Sequence, residues 1–178
     1  TFKAPIVYLN LEELKTINSL KESELGERLT NVRDWLIISC FTGQRISDFM
    51  KFSTKDIRNT DGIKVIDIVQ QKGNKSVSIP LFDPVLKIMK KHKGGFPRSI
   101  SDQKFNEYVK ELAKKAGLTE IIKGGIITVD KDGRKRKEFG KFPKHELITS
   151  HIGRRSFASN LYGKIPTPIL MNITGHSK

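Results

Sequence analysis

Five side chains in this sequence have the types and the surroundings to do chemistry on an anion. His151-Ile152-Gly153-Arg154-Arg155 lies near its end and is followed, after a helix-length segment, by Gly175-His176. Upstream, Thr42-Gly43-Gln44-Arg45-Ile46-Ser47-Asp48 places an arginine after a glycine turn, and Gln71-Lys72-Gly73-Asn74-Lys75 places a lysine at the tip of an expected hairpin. Arg45, Lys72, His151, Arg154 and His176 have no acidic cluster beside them. Such a set can neutralise an anion without a metal ion, so no metal and no cofactor are expected. The expected anion is a phosphodiester of double-stranded DNA.

The composition agrees with that partner. The 178 residues suit one domain with a single substantial core. Lys and Arg number 33 against 19 Asp and Glu, a formal net charge of +14 that points to a polyanion. A membrane surface also attracts basic chains, but no apolar run is long enough to span a bilayer and no terminal amphipathic helix carries a basic face. The sequence starts at Thr1 with no charged-then-apolar leader, which reads as an excised piece without a signal peptide and points to a cytoplasmic setting. Cys40 is the only cysteine, which rules out an internal disulfide and a multi-cysteine metal site, and its apolar setting, Trp35 to Phe41, reads as core.

Each candidate must be positioned by a local element. Asn10 with Glu13 three places on forms a capping-box start for a helix to about Leu20, followed by an expected polar linker over 21–26. Apolar residues at Leu29, Val32, Leu36, Ile37 and Cys40 predict a helix over 27–41, stopped at Thr42-Gly43, so that Arg45 starts the next short helix. The β-branched runs 63–69 and 76–81 flank a turn at Gly73-Asn74, with Lys72 on the hairpin shoulder. Asp83-Pro84 opens a helix to about Lys91, and a second follows over 101–116.

Residues 119–144 predict another hairpin turning at Asp130-Lys131-Asp132-Gly133, with the basic run Arg134-Lys135-Arg136-Lys137 on one arm. A run of this kind is ordinarily a solvated surface, and direct DNA contact is the competing reading. Thr149 or Ser150 is the expected cap of a helix that carries His151 and Arg154 to about Tyr162. Residues three apart share a helix face, so this pair can reach one ligand. Pro166 and Pro168 restart the chain for a last helix ending at Gly175.

Taken singly, a His–Arg pair on a helix, an arginine after glycine and a lysine on a hairpin are all common surface features. Their order is more specific. Thr42-Gly43-Gln44-Arg45-Ile46-Ser47-Asp48, then Lys72 in a hairpin, then His151-Ile152-Gly153-Arg154, then Gly175-His176 resembles the catalytic domain of tyrosine recombinases, the phage and transposon integrase family. The likeness runs through nearly the whole sequence. The wording from Ile148 to Ala158 looks most like integrases of conjugative and other mobile elements of Bacteroidetes-type bacteria.

The resemblance implies a mainly α-helical α+β fold with a small antiparallel sheet and hairpins, that of the DNA breaking-rejoining enzymes. It also implies strand cleavage and rejoining through a 3′-phosphotyrosine, with association into dimers or tetramers on DNA. Arg45 and Arg154 would clamp the non-bridging oxygens of the scissile phosphate, and Lys72 would protonate the leaving 5′ oxygen. His151 would accept or orient the nucleophile's proton, and His176 would hydrogen-bond the phosphate or the nucleophile.

Two departures accompany it. The family's tyrosine lies about one short helix beyond the position of His176, where these residues hold none; Tyr8, Tyr108 and Tyr162 are the only tyrosines, and Tyr162 is expected to pack or to sit at the end of the His151 helix. The helical core-binding domain expected ahead of Thr1 is not among these residues either, so 1–178 reads as a catalytic-domain piece without its nucleophile. A type IB topoisomerase-like enzyme and a non-catalytic DNA-binding module on the same fold are the alternatives. A metal-dependent nuclease lacks the carboxylate pair that would hold magnesium.

Overall fold

In the computed structural model, which describes residues 6–175, one long helix forms the axis of the domain. It is α2 (Glu22–Thr42), preceded by α1 (Leu11–Ser19) and followed by the single turn α3 (Ile46–Phe49). Trp35, Leu36, Ile37 and Ile38 are all buried, so α2 is apolar on every side over its second half and must be surrounded. The helices α4 (Asp83–Lys91), α5 (Asp102–Lys115) and α6 (Ile152–Leu161) surround it. Trp35 anchors one flank: its indole N–H donates to the Arg98 carbonyl at 2.9 Å, and its ring stacks on Phe96 and tilts against Phe49.

The sheet is antiparallel in the order β1 (Ile57–Thr60), β2 (Ile63–Val69), β3 (Ser76–Pro80). Alternation sends Ile66, Val77 and Ile79 into the core and leaves Ser76 and Ser78 outside. A second, two-stranded ribbon pairs β4 (Ile121–Val129) with β5 (Lys135–Pro143), and α7 (Thr167–Thr174) is the last helix described. The mainly helical α+β architecture with small antiparallel sheets is the one the sequence predicts.

Two local expectations are corrected, and one strand is added. Residues 22–25 are a helical turn rather than part of a linker, and the break falls at Gly26, whose φ of 72° and ψ of 174° only glycine adopts readily. Strand β1 adds a third strand that carries almost no apolar pattern, since Arg58, Asn59 and Thr60 are all exposed. Neither Thr149 nor Ser150 caps α6. His151 occupies the cap position in a helical conformation, while the Ser150 N–H donates to Asn106 Oδ1 at 2.8 Å and Lys110 reaches the Ile148 carbonyl. Helix α5 therefore holds the segment that delivers His151.

Candidate functional site

Arg45 stands where α2 gives way to α3, and glycine sets that turn. Gly43 closes α2 in the left-handed region (φ 68°), and a Cβ there would lie 2.5 Å from Phe157 Cδ1 on α6. Backbone sign and close packing therefore both exclude a side chain at that position. A second close approach lies on α6 itself, where a Cβ on Gly153 would collide with Ser39 Oγ. The two glycines seat α6 directly on α2 and bring Arg154, between Gly153 and Phe157 in sequence, against the Arg45 turn.

Arg154 is only 6% exposed. Its Nη1 donates to the Gly43 carbonyl at 3.2 Å, while Nη2 is buried with no hydrogen-bond partner among the described residues. Burial pushes its pKa down to about 10, the Arg45 guanidinium adds repulsion, and the Asp48 carboxylate opposes both. A guanidinium that is desolvated, repelled and left with a free donor has the charge and the hydrogen-bonding capacity to bind an anion.

His151 lies one turn before Arg154. The protein that covers part of its ring is the largest cause lowering its pKa below 6.5; Arg155 adds to this, Asp102 opposes it, and Arg45 and Arg154 lower it further. The imidazole is thus neutral at pH 7 and able to accept a proton. Arg45, His151 and Arg154 are in electrostatic contact although more than a hundred residues separate the first from the others.

Lys72 is exposed in the β2–β3 turn. Gly73 and Asn74 both have positive φ (84° and 49°), as the predicted tight turn requires. Asp48 Oδ1 accepts the Gln71 N–H at 2.8 Å and so fixes the hairpin shoulder to α3. His176, the fifth candidate, lies outside the described residues. Its neighbour Gly175 ends α7 with φ 70°.

Two amides missed in the sequence join these pieces. Gln44 and Gln70 are fully buried; Gln70 Nε2 donates to Gln44 Oε1 at 2.7 Å, and both amides donate to the Ile173 carbonyl, at 2.8 Å from Gln44 and 3.2 Å from Gln70. A Cβ on Gly175 would strike Gln70 Oε1. The Arg45 turn, the Lys72 hairpin and the end of α7 are thereby fastened at one point. The sequence signal was weak: Gln44 stands inside the arginine motif, but only tertiary contact gives it work.

Tyr8 and Tyr162 are exposed, Tyr162 at the end of α6, and Tyr108 lies on α5 with the Arg28 guanidinium 4.5 Å above its ring. Cys40 is buried, which pushes its thiol up to about 12 and leaves it inert. No group of three or more His, Cys, Asp or Glu side chains that could hold a metal ion occurs among the described residues, and no described helix is long and apolar enough to cross a membrane.

The sequence profile of the phage integrase family matches residues 8–178. The chain belongs to this family. Three solved structures share the fold of this integrase-family domain. The site-specific recombinase XerH, in a pre-cleavage complex with its difH substrate, superposes with a TM-score of 0.64 at 20% identity, over 100% of this chain and 50% of that one. The catalytic core of lambda integrase gives 0.62 at 19% identity, over 97% and 93%, and the XerA recombinase 0.66 at 15%, over 100% and 58%. The chain thus spans about half the length of the XerH recombinase it matches. No curated protein sequence matches it.

The strain at Arg154 gives a stability prediction. Replacing a buried, uncompensated charge by an apolar group of similar length is ordinarily stabilising, by about 1–2 kcal/mol. Arg154→Met should therefore raise the thermal midpoint by roughly 3–6 °C in phosphate-free buffer. Inorganic phosphate should raise the midpoint of the unaltered chain and leave the variant's in place. Differential scanning calorimetry reads both shifts, and a variant that melts lower in both buffers contradicts the strained-cation account.

Proposed function

We propose that this domain is the phosphate-activating part of a tyrosine recombinase that cleaves and rejoins double-stranded DNA at specific sites. The supporting observation is the convergence of Arg45 and Arg154, one of them buried with an unused donor. Two forked cations so placed bind the two non-bridging oxygens of a phosphodiester and gain strength as charge accumulates on them in the pentacoordinate transition state. Neutral His151 takes or orients the proton of the attacking hydroxyl, Lys72 protonates the departing 5′ oxygen, and His176 completes the phosphate contacts. The covalent 3′ link requires a tyrosine that these residues do not carry beyond Gly175-His176. Assembly as dimers or tetramers on DNA, in the compartment that holds the chromosome, belongs to the same reading.

A binding module without catalysis would place its cations on the surface, where desolvation costs nothing. Burying Arg154 beside Arg45 is costly and serves a developing charge. The deciding experiment uses these 178 residues joined to a tyrosine-bearing segment and a nicked duplex that traps cleaved strands. A DNA adduct stable to boiling in detergent should form in EDTA and vanish when that tyrosine is changed to phenylalanine. Cleavage that depends on magnesium, or an adduct mapping to Tyr8, Tyr108 or Tyr162, overturns the proposal.

A further inference from the structure

The β4–β5 ribbon is built as an arm with two unlike faces. Register pairs Lys123 with Lys141, Gly125 with Phe139, Ile127 with Lys137 and Val129 with Lys135, so these eight residues share one face. All but Gly125 are exposed, including Ile127 at 70%, Val129 at 63% and Phe139 at 55%. The opposite face holds Ile122, Ile126 and Phe142, which pack on the core, and Gly124, where a Cβ would lie 2.6 Å from Leu147 Cδ1. Gly124 therefore seats the root of the arm against the short turn that leads to His151. From Gly124 to Val129 the strand runs on for roughly 17 Å.

The outward face carries no acidic residue. Lys123 and Lys141 stand directly opposite each other, an arrangement that destabilises a ribbon. None of its four lysines has an ion pair among the described residues; Lys137 lies 5.1 Å over the Phe139 ring. The arginine of the basic run that does find an acid, Arg136, pairs with Asp130 (3.0 Å) from the other face. The run read as one block in the sequence is thus divided by alternation. Arg136 braces the turn, while Lys135 and Lys137 join Lys123 and Lys141 in an uncompensated row. Like-charge crowding with exposed apolar residues between the charges is a cost that a polyanion relieves, and a second copy of a chain of net charge +14 does not.

We propose that the outward face of the β4–β5 arm docks on duplex DNA, with Lys123, Lys135, Lys137 and Lys141 against phosphates and Ile127 and Phe139 against the groove. A two-stranded ribbon fits the major groove, which is about 12 Å wide. The inference rests on the reading of the domain as DNA-acting.

Four phosphate contacts account for about 3–4 of the log–log salt slope. The combined variant Lys123→Gln, Lys135→Gln, Lys137→Gln, Lys141→Gln should therefore shrink the loss of duplex affinity between 50 and 200 mM salt by roughly a hundredfold. A control removing four exposed lysines elsewhere (Lys15, Lys87, Lys114, Lys115 to Gln) should change it much less. Phe139→Ser should weaken binding about tenfold at every salt concentration, with the slope unchanged. All these side chains are exposed, and circular dichroism checks that the fold persists.

Fluorescence anisotropy with a duplex probe reads the slopes for the whole 178-residue chain. An arm variant with the unaltered slope, or a control with an equal loss, overturns the arm proposal alone. So does a variant that loses self-association or binding to anionic phosphatidylglycerol vesicles while its DNA slope stays intact. An unaltered chain that shows no salt-dependent duplex binding overturns the DNA-acting reading beneath it.

Discussion

Arg154→Ala and Arg45→Ala should each slow strand cleavage by a factor of about a hundred or more while duplex affinity falls only a fewfold. The expected loss is on the order of 3 kcal/mol of transition-state stabilisation, the amount typical of removing one donor aimed at developing charge. The separation of rate from affinity follows from where the two cations sit. Ground-state attraction comes from the whole +14 surface, to which one buried guanidinium adds little. In the proposed reaction the transition state gathers extra charge at one phosphate, to which only groups already placed around it respond.

Because Arg154 burdens the free fold, its loss should not lower stability, so a dead Arg154→Met enzyme that melts higher than its parent would tie inactivity to chemistry. Single-turnover cleavage of a trapping duplex, by the 178 residues joined to the tyrosine-bearing segment, gives the rate. Rates within about threefold of the parent remove that arginine from the site.

Most elements that position this site were legible because local chemistry specifies them. Asn10 and Glu13 make the reciprocal capping box at the start of α1. Gly43, Gly73-Asn74 and Gly175 take the positive φ values their positions require. These are one-residue decisions, and a sequence displays them directly. Strand β1 was not legible, because its four residues are mostly polar and it exists only by pairing with β2.

The true start of α6 was hidden for a similar reason. Thr149 and Ser150 look like caps, yet the Ser150 N–H is already engaged by Asn106, a partner 44 residues away. Within the site, residue type pointed to the five cations and bases, and the structure brings three of them into electrostatic contact. What the sequence could not display is the means of assembly. Gln44 and Gln70 are ordinary amides until the Ile173 carbonyl arrives, and Gly153 is an ordinary helical glycine until Ser39 is placed against it.

Lys72 offers the most discriminating test of role, since Lys75 lies on the same hairpin and differs in setting. Lys72 is exposed on the shoulder next to Gln71, which Asp48 ties to α3, while Lys75 is half-buried, its carbonyl accepting the Gln70 N–H at 2.8 Å to close the hairpin. The Lys75 backbone closes the turn and its side chain is partly covered, whereas the Lys72 side chain is exposed, and the proposed function gives Lys72 the proton for the leaving oxygen. A general acid contributes about a hundredfold to ten-thousandfold when the leaving group is a basic alkoxide. Sulfur in the 5′-bridging position leaves as a thiolate, which is far less basic and needs little protonation. Lys72→Ala should thus cleave normal DNA at least about a hundredfold more slowly and recover most of that loss on the 5′-phosphorothiolate duplex, whereas Lys75→Ala should be near normal on both. Arg154→Ala should show no such recovery, because the role proposed for its charge is on the non-bridging oxygens, whichever atom leaves. If Lys75→Ala is the variant rescued by sulfur, the proton comes from the turn lysine and the assignment of Lys72 is wrong.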